Sequence, residues 1–205
     1  MENAAIKTRI AVFVSGGGTN LQALIDAQTR GEIPDGEIVL VVASNPDAYA
    51  LKRAEKANIA AVAVSRKACA SQEEFEEKIC EHLDAHGIQL IVLAGFLSIL
   101  SAKFTSRYAD RIVNVHPSLI PAFCGKGFYG LKVHEAALEY GVKVTGATVH
   151  LVNEIPDGGR ILLQKAVEIL PDDTPEVLQR RVMEQAEWIL LPQAVQLLSK
   201  ELKER

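Results

Sequence analysis

The chain has 205 residues, 48% of them hydrophobic and 23% charged, with a formal net charge of −4. That size and apolar content support a sizeable core and exclude extended disorder. The mild acidity leaves no basic footprint for nucleic acid or an anionic membrane, so an anionic substrate would need a local cradle. The three cysteines, Cys69, Cys80 and Cys124, are odd in number and lack C-x-x-C spacing. This argues against a disulfide framework or thiolate metal site and for reduced thiols in a cytoplasmic protein. The opening "MENAAIKTRIAVFV" is too short in its apolar run for a leader, and no stretch is long enough to span a bilayer.

In chain order, Ile10–Val14 reads as a strand ending in "SGGG", followed by the helical "TNLQALIDAQTR". "EIVLVVAS" is a second strand, "AYALKRAEKAN" a helix and "IAAVAVS" a short strand. "SQEEFEEKICEHLDAHG" is an amphipathic, Glu-rich and solvated helix, with Ser71 and Glu74 in capping-box spacing and Gly87 at its stop. "IQLIVLAGF" is a buried strand, followed by a short helix over 101–108 and the strand "RIVNVH". After the helix "LKVHEAALEYG", "KVTGATVHLV" and "RILLQKAVEIL" form a late antiparallel strand pair. A long final helix starts at Thr174-Pro175, and Pro192 is expected to kink or break it. The expected fold class is α/β: a Rossmann-like, mostly parallel sheet with helices on both faces. One domain over 1–205 is expected, with residues near 1–100 binding a substrate phosphate and 101–205 carrying the catalytic groups.

Three constellations could carry chemistry. The loop "VSGGGTNLQ" between strand and helix would converge backbone N–H groups and a helix dipole on one anion. It lacks the third glycine of a dinucleotide fingerprint and the Lys of a P-loop, so a single phosphate fits best; a plain tight turn is the bland alternative. Asn114 and His116 lie two apart in a strand, so they share a face at its carboxyl end, where Pro117 stops it. An amide and a protonated imidazole aimed at one oxygen make an oxyanion site; a satisfied core His is the alternative. Asp157, in "NEIPDGGR", is either ordinary turn chemistry or a carboxylate that keeps His116 charged. His82 and His86, spaced i, i+4, have no third ligand in view, and no metal is expected. His134 could be a site or a surface residue, and Lys126 and Lys132 could steer an anion or stay solvated.

"NVHPSLIP", preceded by "LAGFLSIL" and followed by "GATVHLVNEIPDGGRILLQ", closely resembles the glycinamide ribonucleotide formyltransferase family of purine biosynthesis, from the glycine loop to the last helix. The resemblance implies formyl transfer from 10-formyltetrahydrofolate, a cosubstrate, to the amine of glycinamide ribonucleotide, with no metal, nucleic acid or membrane partner. It implies a monomer or homodimer. By matching position, Asn114, His116 and Asp157 are the implied catalytic trio. Gly17, Gly18, Thr19 and Asn20 are implied to hold the 5′-phosphate, with Pro117 and Glu187 also contacting the ribonucleotide. Leu97, Ser98, Ile99 and Leu100, together with Asn114 and the loop Asn153, Glu154, Ile155, Pro156 and Asp157, are the implied folate pocket. Thr148 and His150 match flanking positions. Ser98 and Gln72 stand where family members carry arginines, and Cys124–Gly130 reads as extra sequence. The rival readings are a formyltetrahydrofolate deformylase, a methionyl-tRNA formyltransferase and a non-catalytic nucleotide-binding module. The deformylase normally has a regulatory domain ahead of its first strand, and the tRNA enzyme a C-terminal extension and a basic face; a chain whose strand starts near Thr8 and that ends at Arg205 is expected to have neither.

Overall fold

The computed structural model describes residues 7–204. Residues 1–6, which open the segment read against a leader, and Arg205, the end of the last helical stretch, lie outside them. The chain divides into two compact units, residues 1–98 with 195–205, and residues 99–194.

In the first unit, β1 (Thr8–Val14), β2 (Gly36–Ala43), β3 (Ala60–Ala63) and β4 (Leu90–Leu93) pair in parallel in the order β3-β2-β1-β4. Parallel neighbours need crossover connections, which α1 (Thr19–Thr29), α2 (Tyr49–Lys56) and α3 (Gln72–Ala85) supply. Residues 10–14 of β1 are fully buried, which explains why that strand is apolar throughout rather than alternating. Ser71 caps α3 by accepting the Glu74 N–H at 3.1 Å. The Glu74 carboxylate, however, takes the Ala70 N–H at 2.6 Å, one residue ahead of the expected reciprocal partner. Gly87, at φ 58°, ends the helix in a Schellman motif, with Ile88 N–H on the Leu83 carbonyl and Gly87 N–H on that of Asp84. Within this amphipathic helix, Glu76 is the glutamate that does not face solvent. That residue is buried and accepts from Gln72, whose own carbonyl oxygen accepts from Arg66. His86 turns its Nδ1 onto the His82 backbone carbonyl at 2.8 Å.

The second unit holds α4 (Ala102–Arg107), β5 (Ile112–His116), α5 (Leu131–Tyr140), β6 (Val144–Leu151), β7 (Ile161–Glu168) and α6 (Pro175–Val182). β6 is central, antiparallel to β5 and to β7. Thr174 caps α6 through the Val177 N–H at 3.3 Å, with Pro175 in its first turn. Pro192 does not break the helix in two. A π-helical turn over Met183–Glu187 separates α6 from α7 (Trp188–Lys203), and Pro192 sits inside α7. Proline's missing N–H removes one intrahelical bond and leaves the rest of the ladder in place, whereas the π turn shifts the bonding pattern locally by one residue. α7 runs from the second unit into the residues assigned to the first, where Thr8 Oγ1 donates to the Ser199 carbonyl at 2.8 Å and Asp35 accepts from Gln196 and Lys203, both at 2.8 Å. Among the described residues no helix is long and apolar enough to cross a membrane.

Two local devices anchor the second unit. Arg181 grips Asp173 with two nitrogens at 2.5 Å each, and also reaches the Glu168 carbonyl at 3.1 Å. The Asp173 carboxylate is only 2% exposed. The Arg181 hydrogen bond holds its pKa below the ordinary value against the opposing effect of burial, and the Leu170 N–H helps. This contribution is full above the unfolded carboxylate value of about 3.9 and is lost as pH falls through the lowered folded value. Asp173→Asn is therefore expected to cost about 2 kcal/mol at neutral pH in urea unfolding and to flatten the acid limb of the stability–pH curve; an unchanged midpoint would contradict this. In the β6–β7 connection, a Cβ on Gly159 would stand 1.7 Å from the Leu151 carbonyl oxygen. Gly159→Ala must displace that backbone, and a fall of several degrees in Tm is expected by calorimetry.

Candidate active site

β5 ends by presenting Asn114 and His116 on one face, as the two-residue period of a strand requires. Their antiparallel partners are fixed by register: Asn114 opposite His150, and His116 opposite Thr148. Asn114 Nδ2 lies 3.1 Å from His150 Nε2, while His150 Nδ1 faces the Leu151 carbonyl at 2.8 Å. That carbonyl can only accept, so Nδ1 carries the proton and, in the neutral ring, Nε2 accepts from Asn114. In that neutral state one amide hydrogen of Asn114 is committed, which fixes the plane in which the other points.

Thr148, fully buried, ties down the chain just past His116. Its hydroxyl donates to the Ser118 carbonyl at 2.6 Å and accepts from the Ile120 N–H and Gln164 Nε2, each at 3.0 Å.

Asp157 enters from the β6–β7 connection. Asn153 accepts the Ile155 N–H at 2.9 Å, and the Gly158 N–H closes on the Ile155 carbonyl at 2.9 Å. This makes a tight turn with Pro156 and Asp157 at its centre, and Asp157 has φ 56°, a left-handed conformation that Asp tolerates better than most residues. The turn delivers the carboxylate between two imidazoles. Oδ2 is 3.6 Å from His116 Nδ1, and Oδ1 is 3.6 Å from His150 Nε2. Burial alone would push the Asp157 pKa up. When the His150 ring is charged its Nε2 hydrogen turns to Asp157, and that bond, the Gly125 N–H at 2.8 Å and the imidazolium charges outweigh burial and hold the carboxyl below its ordinary value.

His116 is 4% exposed. Its Nε2 lies 2.9 Å from the Phe123 carbonyl, and its Nδ1 faces Asp157, so a charged ring finds an acceptor at each nitrogen. Phe123 precedes and Gly125 lies within the segment read as extra sequence, and their backbone groups meet His116 and Asp157 respectively. Composition gave no signal for this, because main-chain partners leave no side-chain pattern.

His134 is fully buried rather than superficial, and neither of its ring nitrogens has a hydrogen-bond partner among the described residues. Burial and the charge of His116 push its pKa down to about 4, so it is neutral at working pH.

The structure thus groups Asn114, His116 and Asp157 and adds His150 and Thr148. Pro117 follows directly on β5. Glu187 closes the π turn, which packs on β6 and β7, and its side chain is buried. Gly17, Gly18, Thr19, Asn20, Leu97 and Ser98 belong to the first unit, and Ile99 and Leu100 to the second. Leu97, Ile99 and Ile155 are large apolar side chains left exposed, whereas Leu100 is buried. Gln72 is held between Arg66 and Glu76. Lys126 is exposed, and Lys132 lies against Tyr129.

Comparison with known proteins gives this geometry a context. The sequence pattern described as formyl transferase matches residues 8–195. The phosphoribosylglycinamide formyltransferase of Haemophilus influenzae is 44% identical over 177 residues, covering 86% of this chain and 81% of that protein. The human trifunctional purine biosynthetic protein adenosine-3 is 40% identical over 94% of this chain, which spans 18% of its length. The crystal structure of glycinamide ribonucleotide transformylase 1 from Symbiobacterium toebii superimposes with a TM-score of 0.88 at 39% identity, covering 95% of this chain and 89% of that one. That agreement extends to the expected fold class: parallel strands alternating with helices, a late antiparallel pair and a long last helix. By the extent of these matches, the chain belongs to the formyl transferase family.

Proposed function

We propose that the protein transfers the formyl group of 10-formyltetrahydrofolate to the amine of phosphoribosylglycinamide, with Asn114, His116 and Asp157 as the catalytic groups. The observation that carries the assignment is the Asn114–His116–Asp157 cluster itself: two potential donors on one strand face with a carboxylate kept ionised beside them. Membership of the formyl transferase family and the names of its relatives support the substrates.

The neutral amine attacks the formyl carbon, and negative charge gathers on the formyl oxygen. The uncommitted Asn114 N–H and the charged His116 ring meet that charge. For His116 Nε2 to do so, the Phe123 carbonyl it now faces at 2.9 Å gives way to the formyl oxygen. Asp157 neutralises the imidazolium and orients a water that carries the proton from the attacking amine to the departing folate nitrogen. The new carbon–nitrogen bond forms and the old one breaks without a covalent enzyme intermediate.

The folate contacts belong to the same proposal. Leu97–Leu100 and Asn153–Asp157 hold the pterin, and the exposed Leu97, Ile99 and Ile155 supply apolar surface for it. The glycine loop with Thr19 and Asn20 holds the phosphate, and Pro117 and Glu187 contact the ribonucleotide. Ser98 and the internally engaged Gln72 leave no arginine at either position for the folate's anionic tail.

The decisive assay follows loss of 10-formyltetrahydrofolate with and without phosphoribosylglycinamide. Strict dependence on the ribonucleotide is expected, and turnover without it would instead identify a hydrolase. Asn114→Ala and His116→Ala are each expected to lower kcat by at least about 10²–10³ while the chain keeps its fold and a cooperative unfolding transition. Near-normal turnover in either variant overturns the residue assignment.

A further inference from the structure

We infer that Arg53, on α2, is a positioning residue that orients the glycine loop for the substrate phosphate. Its Nε donates to the Gly17 carbonyl at 2.8 Å, and its Nη1 donates to Gln22 Oε1 on α1 at 2.9 Å. One turn earlier on the same helix, the Ala50 N–H donates to the Gly16 carbonyl at 3.1 Å. The Gly18 carbonyl accepts the first bond of α1, from the Gln22 N–H at 2.9 Å. All three glycine carbonyls are therefore committed within the protein.

The consequence follows from the planarity of the trans peptide. In each unit the C=O and the following N–H point in opposite directions. Fixing the Gly16 and Gly17 oxygens toward α2 aims the N–H groups of Gly17 and Gly18 the other way. Carbonyl oxygens that would repel an anion are turned aside, and two donors are set in their place. They join the first N–H groups of α1, which have no intrahelical acceptors. α2 sits close enough to enforce this: a Cβ on Gly18 would stand 2.7 Å from Ala50 Cβ. The Arg53 guanidinium lies over the Tyr49 ring at 5.1 Å, which holds it in place.

The inference rests on the glycine loop holding the phosphate, and the experiment separates the two. Steady-state kinetics of Arg53→Ala are expected to show KM for phosphoribosylglycinamide raised about 10-fold or more, with kcat and the KM for 10-formyltetrahydrofolate within about 2-fold of the parent. Arg53→Lys keeps the charge but loses the two-acceptor fork, so it should recover only part of that loss. The control is Gly17→Asp, whose Cβ meets nothing within 4 Å and whose carboxylate repels a phosphate without a clash. If Gly17→Asp raises that KM and Arg53→Ala does not, the phosphate site stands and the role of Arg53 falls. If neither variant changes it, the phosphate site itself is refuted, and the inference with it. If Arg53→Ala moves kcat and both KM values together and lowers the unfolding midpoint, Arg53 is structural only and the inference is overturned.

Discussion

The register between β5 and β6 is the constraint from which the second unit's chemistry follows. Side chains alternate along a strand, so a slip of one residue would turn Asn114 and His116 from the face they share with Asp157 to the opposite one. The pairing prevents it at two adjacent places. The Asn114–His150 pair carries a side-chain hydrogen bond at 3.1 Å, and Thr148, opposite His116, is saturated by three partners. The same strand that sets this register leads into the turn bearing Asp157. A single antiparallel strand thus aligns the amide and leads into the turn that carries the carboxylate to the imidazole.

Asp157 shows how backbone and electrostatics cooperate there. Its left-handed φ is a conformation that glycine would adopt more cheaply, yet a carboxylate stands at that position and glycines follow it. The return is charge where charge is needed: two imidazoles and a main-chain N–H surround it and outweigh the cost of burial. The neighbouring His134, buried and neutral, adds no competing positive charge to the group.

Local rules made much of this legible. Cap residues such as Ser71 and Thr174, the Gly87 stop and the alternation of strands with helices depend on neighbours in sequence, and they read accordingly. The shared face of Asn114 and His116 needed only the strand period. Partners across strands were another matter. No spacing rule pairs position 114 with 150, so the hydrogen bond of His150 and the three bonds of Thr148 needed the register. Main-chain contacts from Phe123 and Gly125 were invisible for the same kind of reason, as was the grip of Arg53 on Gly17. The π turn went unread because proline announces itself in sequence, whereas a π turn has no composition of its own.

That wide turn also sets the angular phase of everything after it. Each residue of an ordinary helix advances the chain by about 100°, and Met183–Glu187 accommodates an extra step before α7 resumes. The buried stripe of Leu190, Leu191, Ala194, Val195 and Leu198 is therefore in phase only at this chain length. Adding or deleting one amino acid between α6 and α7 would rotate the stripe out of alignment, so the number of residues from Val182 to Trp188 is as constrained as the buried Ala186 and Glu187 among them.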